Sequence, residues 1–178
     1  MSERLPERVD PWRLVQQRRV LQGESPLERM SRLAEHAGAQ QGAARVLLEF
    51  LRDDEGHPRI RGQIEAEVGL VCQRCMEPFL LPLRQPVDLI LVSDDVHAEQ
   101  VQAWGEPVIV PEQLFLRDLI EDELLLGLPL VPRHEDEAEC HRHVGRWLES
   151  EPERSEDEQR SNPFAVLGEL KSRLNTKD

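Results

Sequence analysis

The sequence has no apolar run long enough to cross a bilayer, and no apolar segment of an export signal follows its charged first residues. We therefore expect a soluble, cytoplasmic protein without a membrane partner. Its three cysteines are an odd number, which disfavours a disulfide framework and predicts reduced thiols. The 178 residues suit one domain, with or without a tail.

Positive charge is also scarce, because 22 Lys and Arg face 35 Asp and Glu, for a net charge of −13. This balance excludes broad affinity for nucleic-acid backbones, which depends on basic residues displacing condensed counterions. Residues 1–60 are balanced in charge, so the composition is still compatible with a local basic surface in that part of the chain. Residues 135–158 carry ten acids against three arginines and would suit a basic protein partner.

Common catalytic motifs are missing as well. The chain has no phosphate-binding glycine loop, no Gly-x-Ser-x-Gly elbow and no His-Glu-x-x-His helix. Its three tryptophans are not interleaved with basic residues, so no stacking platform for single-stranded nucleic acid is indicated. We predict that the protein is not an enzyme.

Period-two alternation of apolar and polar residues dominates the middle of the chain. It is clearest over 59–72, which predicts a half-buried antiparallel strand. Residues 44–52 and 79–93 predict neighbouring strands, and Pro82 and Pro86 suit an edge strand or a bulge in the second.

Two helices are predicted beside these strands. Ser25 and Glu28 form a capping-box pattern that predicts a helix over 26–37. A second helix is expected over 111–127, with Glu121 to Glu123 on an exposed face.

The predicted fold class is α+β, with an antiparallel sheet, either a meander or a partly open barrel, packed by two helices. Residues 93–107 are predicted to be a loop, and VIV at 108–110 one more short strand. We expect an α+β domain over 1–133, an acidic and poorly ordered segment over 134–160, and a C-terminal amphipathic helix over 161–178.

The pair Cys72-x-x-Cys75 ends the clearest strand. A redox dithiol needs a helix beginning at the motif to stabilise its thiolate, but a strand-like run follows here. Two cysteines at a hairpin tip suit Zn²⁺, which takes four sulfur and nitrogen ligands in a tetrahedron. The candidates for a complete Cys₃His set are Cys72, Cys75, Cys140 and His134, with His141 or His143 as alternatives to His134. The other interpretation leaves Cys72 as a small buried hydrophobe and Cys75 as a turn residue.

Four pieces of sequence, taken in order, carry a family resemblance. They are VDPWR at 9–13, VCQRCMEPF at 71–79, LRDLIEDELLLGLPLVPRH at 116–134 with a later cysteine, and NPFAVLGELK at 162–171. The chain resembles the YceD-like bacterial family of large ribosomal RNA subunit accumulation proteins over nearly its whole length. The resemblance implies a non-enzymatic cytoplasmic factor for synthesis, processing or stability of 23S ribosomal RNA.

Carried over residue by residue, the resemblance covers the cysteines and the acidic helix. It places the family's cysteine pair on Cys72 and Cys75, its downstream cysteine on Cys140, and its acidic helix on Glu121, Asp122 and Glu123. The histidines directly after Cys140 are not a family feature, so His134 is an equal candidate for the fourth ligand.

The charge and the resemblance together indicate how the protein would act. At a net charge of −13, binding a basic ribosomal protein or a precursor of the large subunit suits the chain better than coating RNA. Direct contact with ribosomal RNA would be weak or confined to a local surface, for which Arg59 and Arg61 are candidates. The competing hypothesis is a thiol- or zinc-dependent enzyme or redox protein that uses the Cys72–Cys75 pair.

Overall fold

A computed structural model describes residues 5–110 and 112–142. The predicted C-terminal helix and residues 143–160 of the acidic segment lie outside the described residues. No helix in the described ranges is long and apolar enough to span a membrane.

A five-stranded sheet forms the centre of the molecule. The strands of the described chain are β1 (Arg8–Val9), β2 (Val20–Pro26), β3 (Ala43–Arg52), β4 (Pro58–Val71), β5 (Pro78–Val92), β6 (Glu106–Ile109) and β7 (Leu114–Phe115). β2 to β5 form an antiparallel meander in chain order, β6 adds to β5 in parallel, and β1 pairs with β7 in a separate two-stranded sheet. The α+β fold class and the meander are confirmed.

Helices cover both faces of this sheet unequally. The helices are α1 (Pro11–Gln16), a 3₁₀ turn (Leu27–Arg29), α2 (Ser31–Ala37), α3 (Asp95–Val101) and α4 (Leu116–Gly127), and the described residues 137–142 are also helical. Buried residues of α1, α2 and α4 share one core with the even-numbered residues of β3 and β4. α3 packs on the opposite face, where Ile90, Val92 and Ala98 form a small second cluster. Most of that opposite face carries exposed side chains.

The β4–β5 hairpin is the longest feature of the sheet. Its register runs without a break from Arg59 opposite Ile90 to Val71 opposite Pro78. The predicted alternation is confirmed, since Ile60, Ile64 and the following even-numbered residues of β4 are buried. β6 covers only the last part of β5, so most of β5 is an edge, where prolines can be accommodated because an outward N–H has no partner strand.

The predicted start of the first helix is wrong. Ser25 and Pro26 pair with Ala44 and Ala43 as the end of β2, and α2 begins only at Ser31. The Glu28 carboxylate accepts a hydrogen bond from the Gly42 N–H at 3.2 Å rather than closing a capping box. Sheet pairing therefore overrides the local capping signal.

The prediction of a loop over 93–107 is also wrong. Asp94 caps α3 by accepting a hydrogen bond from the His97 N–H at 2.9 Å, and β6 begins at Glu106. α3 is polar on most of its surface, and only Ala98 is buried, so its sequence shows little helical periodicity.

Candidate metal centre

The tip of the β4–β5 hairpin holds the first two cysteines. The turn is closed by hydrogen bonds from the Met76 N–H to the Cys72 carbonyl at 2.8 Å and from the Cys72 N–H to the Glu77 carbonyl at 2.9 Å. Met76 has a φ of 62°, in the left-handed region, which reverses the chain tightly after Cys75. Cys72 and Cys75 are both buried, at 0% and 4% exposure.

The segment after α4 brings the other two candidate ligands to this turn. The Gln73 N–H donates to the Pro132 carbonyl at 2.8 Å, which fixes the segment beside the turn two residues before His134. Residues 137–142 are helical, and Arg74 forms an ion pair with Glu137 at 3.2 Å. Cys140 is 1% exposed.

The four side chains converge on one point. The Cys72 and Cys140 sulfurs are 3.6 Å apart, and the His134 Nδ1 lies 3.5 Å from both the Cys75 and the Cys140 sulfur. A tetrahedral zinc with bonds of about 2.3 Å to sulfur and about 2.05 Å to nitrogen requires sulfurs about 3.8 Å apart and sulfur–nitrogen distances of about 3.6 Å. All four ligand atoms lie within 4.8 Å of one another, so the set fits a tetrahedral ion.

The electrostatics of the cluster favour a cation. Burial raises the pKa of the Cys72 thiol, but hydrogen bonds from the N–H groups of Cys75, Arg74 and His134 outweigh burial and lower that pKa to about 5. Burial and the two neighbouring thiols raise the pKa of Cys140 to about 11. Protein N–H groups thus stabilise the Cys72 thiolate, and a bound cation would favour release of the proton from Cys140.

The His134 ring is held in place from outside the cluster. It packs on Phe79 of β5 with ring centroids 4.8 Å apart. Of the two alternative ligands, His141 is exposed and lies outside the group of four, and His143 lies outside the described residues. Sequence reasoning did not identify Phe79 as a supporting residue, although its position after the Cys-x-x-Cys turn was a usable signal.

Arg59 and Arg61 occupy different environments. Arg59 is 6% exposed, and its guanidinium donates to Asp53 at 2.6 Å, to Asp88 at 2.8 Å and to the Trp104 carbonyl at 2.7 Å. Arg61 is exposed and pairs with Asp88 at 3.2 Å. The predicted local basic surface is therefore not formed by Arg59, because its guanidinium is buried against two carboxylates and the chain between α3 and β6.

Glu121 and Glu123 are buried, so the predicted exposed acidic face of α4 is wrong for both. Glu121 accepts hydrogen bonds from the Leu33 N–H at 3.0 Å and from the Arg32 guanidinium at 3.2 Å. Asp122 is exposed and also pairs with Arg32. Glu121 thus caps the first turn of α2, whose N-cap residue Met30 provides no side-chain hydrogen bond.

Glu123 has a different setting. Burial raises the pKa of its carboxyl, and the charges of Glu106 and Asp122 raise it further, while a hydrogen bond with Gln85 opposes them. None of the four acids of α4 lies in the cysteine group.

Gln40 is a buried residue that sequence reasoning missed. β4 extends past the end of β3, and the Gln40 side chain pairs with the exposed edge at Gly69, accepting from its N–H at 2.8 Å and donating to its carbonyl at 3.0 Å. The same amide donates to the Gly38 carbonyl at 2.8 Å. Gln40 therefore supports the part of the hairpin that carries the cysteines.

Comparison with known proteins places the chain among similar sequences. The family model described as "Large ribosomal RNA subunit accumulation protein YceD" matches residues 60–171, a range that contains all four candidate ligands. A protein of Haemophilus influenzae with the same name is 32% identical over 175 residues, which cover 96% of this chain and 98% of that protein. No solved structure matches the chain significantly.

Proposed function

The chain belongs to the YceD family, and we propose that it supports accumulation of the RNA of the large ribosomal subunit in the bacterial cytoplasm. The observation that carries this proposal is the match to the Haemophilus influenzae protein, which extends over nearly the full length of both chains. A match of this extent includes the hairpin, α4 and the segment beyond it.

We propose further that the Cys₃His cluster holds a structural zinc ion rather than a reaction centre. A redox or nucleophilic thiol must meet its substrate, but Cys72, Cys75 and Cys140 are all buried. A closed set of four protein ligands is typical of structural zinc, whereas catalytic zinc keeps one position for water or substrate. The ion would join the segment after α4 to the sheet, and the protein would act by binding rather than by catalysis.

The charge arrangement supports a basic protein or ribonucleoprotein partner. On the exposed face of the sheet, Glu24, Arg45, Glu65 and Arg84 lie opposite one another on successive strands. Glu65 pairs with Arg45 at 3.3 Å and with Arg84 at 3.6 Å, and with Glu24 the four residues carry no net charge. RNA phosphates would gain little from this face, which leaves direct RNA binding weak.

A complementation experiment tests the function. In a strain of the source bacterium depleted of this protein, we expect the ratio of 23S to 16S ribosomal RNA to fall, and the wild-type gene to restore it. An unchanged ratio after depletion would rule out the proposed function.

Metal analysis tests the zinc proposal separately. Protein purified without chelator should contain about one zinc per chain, and Cys140→Ser should reduce that content severely. His141→Ala is the matched control, because this exposed neighbour lies outside the cluster. Wild-type protein that is folded and free of zinc would contradict the proposal, as would normal zinc content in Cys140→Ser.

A salt titration tests the mode of action. We expect purified protein to bind ribosomal RNA weakly at physiological salt. Tight binding that weakens steeply as salt rises would instead indicate direct coating of the RNA.

A further inference from the structure

Three large apolar side chains are exposed where α4 gives way to the segment that leads to the cysteine cluster. Leu126 is 68% exposed, Leu130 102% and Val131 50%. Single exposed apolar residues are common on protein surfaces, but three within six residues form a patch. The stretch containing them is part of the range matched by the family model.

A groove of about 530 Å³ lies beside this patch. Its apolar walls come from β4, α4 and the segment beyond, and its lining includes Leu70, Leu125, Leu128, Leu130, Val131 and Pro132. Backbone hydrogen bonds hold both sides, from the Leu128 N–H to the Leu125 carbonyl at 3.2 Å and from the Gln73 N–H to the Pro132 carbonyl at 2.8 Å. The groove is therefore present before any partner binds.

The charged residues that neighbour the groove lining along the chain are mainly acidic. Glu35 precedes the lining residue His36 in α2, and Glu135 and Asp136 follow the lining residue Pro132. These three acids are exposed, and no Lys or Arg of the described chain lies within ion-pair distance of them. Two arginines are equally near the lining along the chain: Arg133 follows Pro132, and Arg74 follows the lining residue Gln73 but is already paired with Glu137 at 3.2 Å. The three acids therefore outnumber Arg133, and this part of the chain keeps a net negative charge.

We propose that this groove binds an amphipathic segment of a basic protein, with apolar side chains in the groove and Lys or Arg against the acidic rim. The inference rests on the proposed function, in which a basic partner of the large ribosomal subunit is expected. Apolar anchors spaced by three and four residues along a helix are the usual way to fill such a groove. The complementary charge would favour this partner over a neutral or acidic one.

A second copy of the chain suits the groove less well. Two grooves facing each other would bring Glu35, Glu135 and Asp136 of one copy against the same acids of the other, and like charges at an interface are unfavourable. The chain's own residues 162–174 are another occupant to be distinguished, because they contain Phe164 and Leu167 at helical spacing.

Three synthetic peptides test the proposal on the full-length protein. The first is a Leu/Lys peptide about four turns long with leucines along one helical face, the second replaces its lysines with glutamates, and the third scrambles its order. Fluorescence anisotropy should give a Kd for the Leu/Lys peptide at least about tenfold lower than for either of the others. Hydrogen exchange should slow over residues 124–132 when this peptide binds.

Two variants locate the site. Leu130→Asp should weaken binding of the Leu/Lys peptide by about tenfold or more, since this side chain is fully exposed and its replacement leaves the core intact. Val96→Asp is the matched control, because Val96 is 64% exposed but lies in α3 on the other face of the sheet.

Several outcomes would overturn the proposal. These are no binding of the Leu/Lys peptide, equal binding of the Leu/Glu peptide, or a hydrogen-exchange footprint elsewhere. If residues 124–132 exchange slowly in the free wild-type protein and faster in Phe164→Asp, the groove is occupied by the chain's own C-terminal segment instead. If depletion lowers the RNA ratio but the peptide does not bind, the groove proposal fails alone; an unchanged RNA ratio removes the proposed function.

Discussion

The two ends of strand β4 both carry buried polar groups, but they differ in charge balance. At its start, the Arg59 guanidinium contacts the Asp53 and Asp88 carboxylates, so cation and anions are both supplied by the protein. At its end, three thiols and one imidazole converge, and Arg74 pairs with Glu137 rather than with a sulfur. The comparison indicates that the protein itself balances the charges around Arg59 at the first end, whereas the buried Cys₃His set at the second end gains most when a metal cation enters.

Removing the metal should therefore have the largest effect on stability. With free zinc at about 1,000 times its Kd, a site specific to the folded state contributes about 4 kcal/mol to the free energy of unfolding. We expect a chelator to lower the melting temperature of wild-type protein and to leave that of Cys72→Ala with Cys75→Ala unchanged. Equal melting temperatures of the wild type with and without chelator would remove the distinction between the two ends.

Arg59→Leu should have the next largest effect. It leaves Asp53 buried without its cation, and breaking a buried pair in this way costs about 3 kcal/mol or more of unfolding free energy. Urea denaturation measures the loss, and zinc content should stay at the wild-type level. Arg61→Leu is the control, because this exposed pair should contribute less than about 1 kcal/mol. A loss of zinc in Arg59→Leu would mean that the two ends are coupled.

Glu121→Gln tests a third buried polar group, whose hydrogen bonds also come from groups of the protein. The neutral amide can still accept from the Leu33 N–H but loses the charge opposite Arg32, so we expect a loss of about 1–2 kcal/mol. Urea denaturation of the variant beside Asp122→Asn separates the buried carboxylate from its exposed neighbour. Equal losses in both would show that burial of Glu121 adds nothing.

The start of β4, where Asp53 contacts Arg59, should make the stability of the protein depend on acid, with a smaller and gradual effect. Burial raises the pKa of Asp53, but hydrogen bonds from Arg59 and the His57 N–H outweigh burial and hold that pKa at about 2, below its ordinary 3.8. A depressed folded-state pKa stabilises the protein above pH 3.8, and this contribution is lost as the pH falls toward 2. Urea midpoints measured from pH 5 to 2 with chelator present should fall less steeply in Asp53→Asn; identical slopes would contradict the assignment.

Much of the sheet could be predicted because its signal is local. Alternation along β4 shows directly which residues are buried, and Cys72 falls on that buried parity. The helix starts were harder, since Ser25 carries a capping signal but is paired with Ala44 in the sheet. α3 was missed because it buries only Ala98 and has no apolar stripe.

For the candidate site, spacing along the chain identified the types of ligand but not their convergence. Cys72 and Cys75 are adjacent on one turn, so the sequence alone predicts that they act together. His134 and Cys140 reach them only because the chain after α4 returns along the hairpin, held by the bond from Gln73 to Pro132. That contact joins residues 59 positions apart, and no periodicity encodes it.

The sequence by itself determined the alternating strands, the excess of negative charge and the family, because each depends on residue order or residue counts. The tertiary structure decided which polar groups are buried and with what partners. Arg59 and Glu121 look like surface residues in the sequence, but the chain after α3 covers one and α2 covers the other. The reason is that burial depends on which distant elements pack together, and the same packing brings Cys140 within 3.6 Å of Cys72.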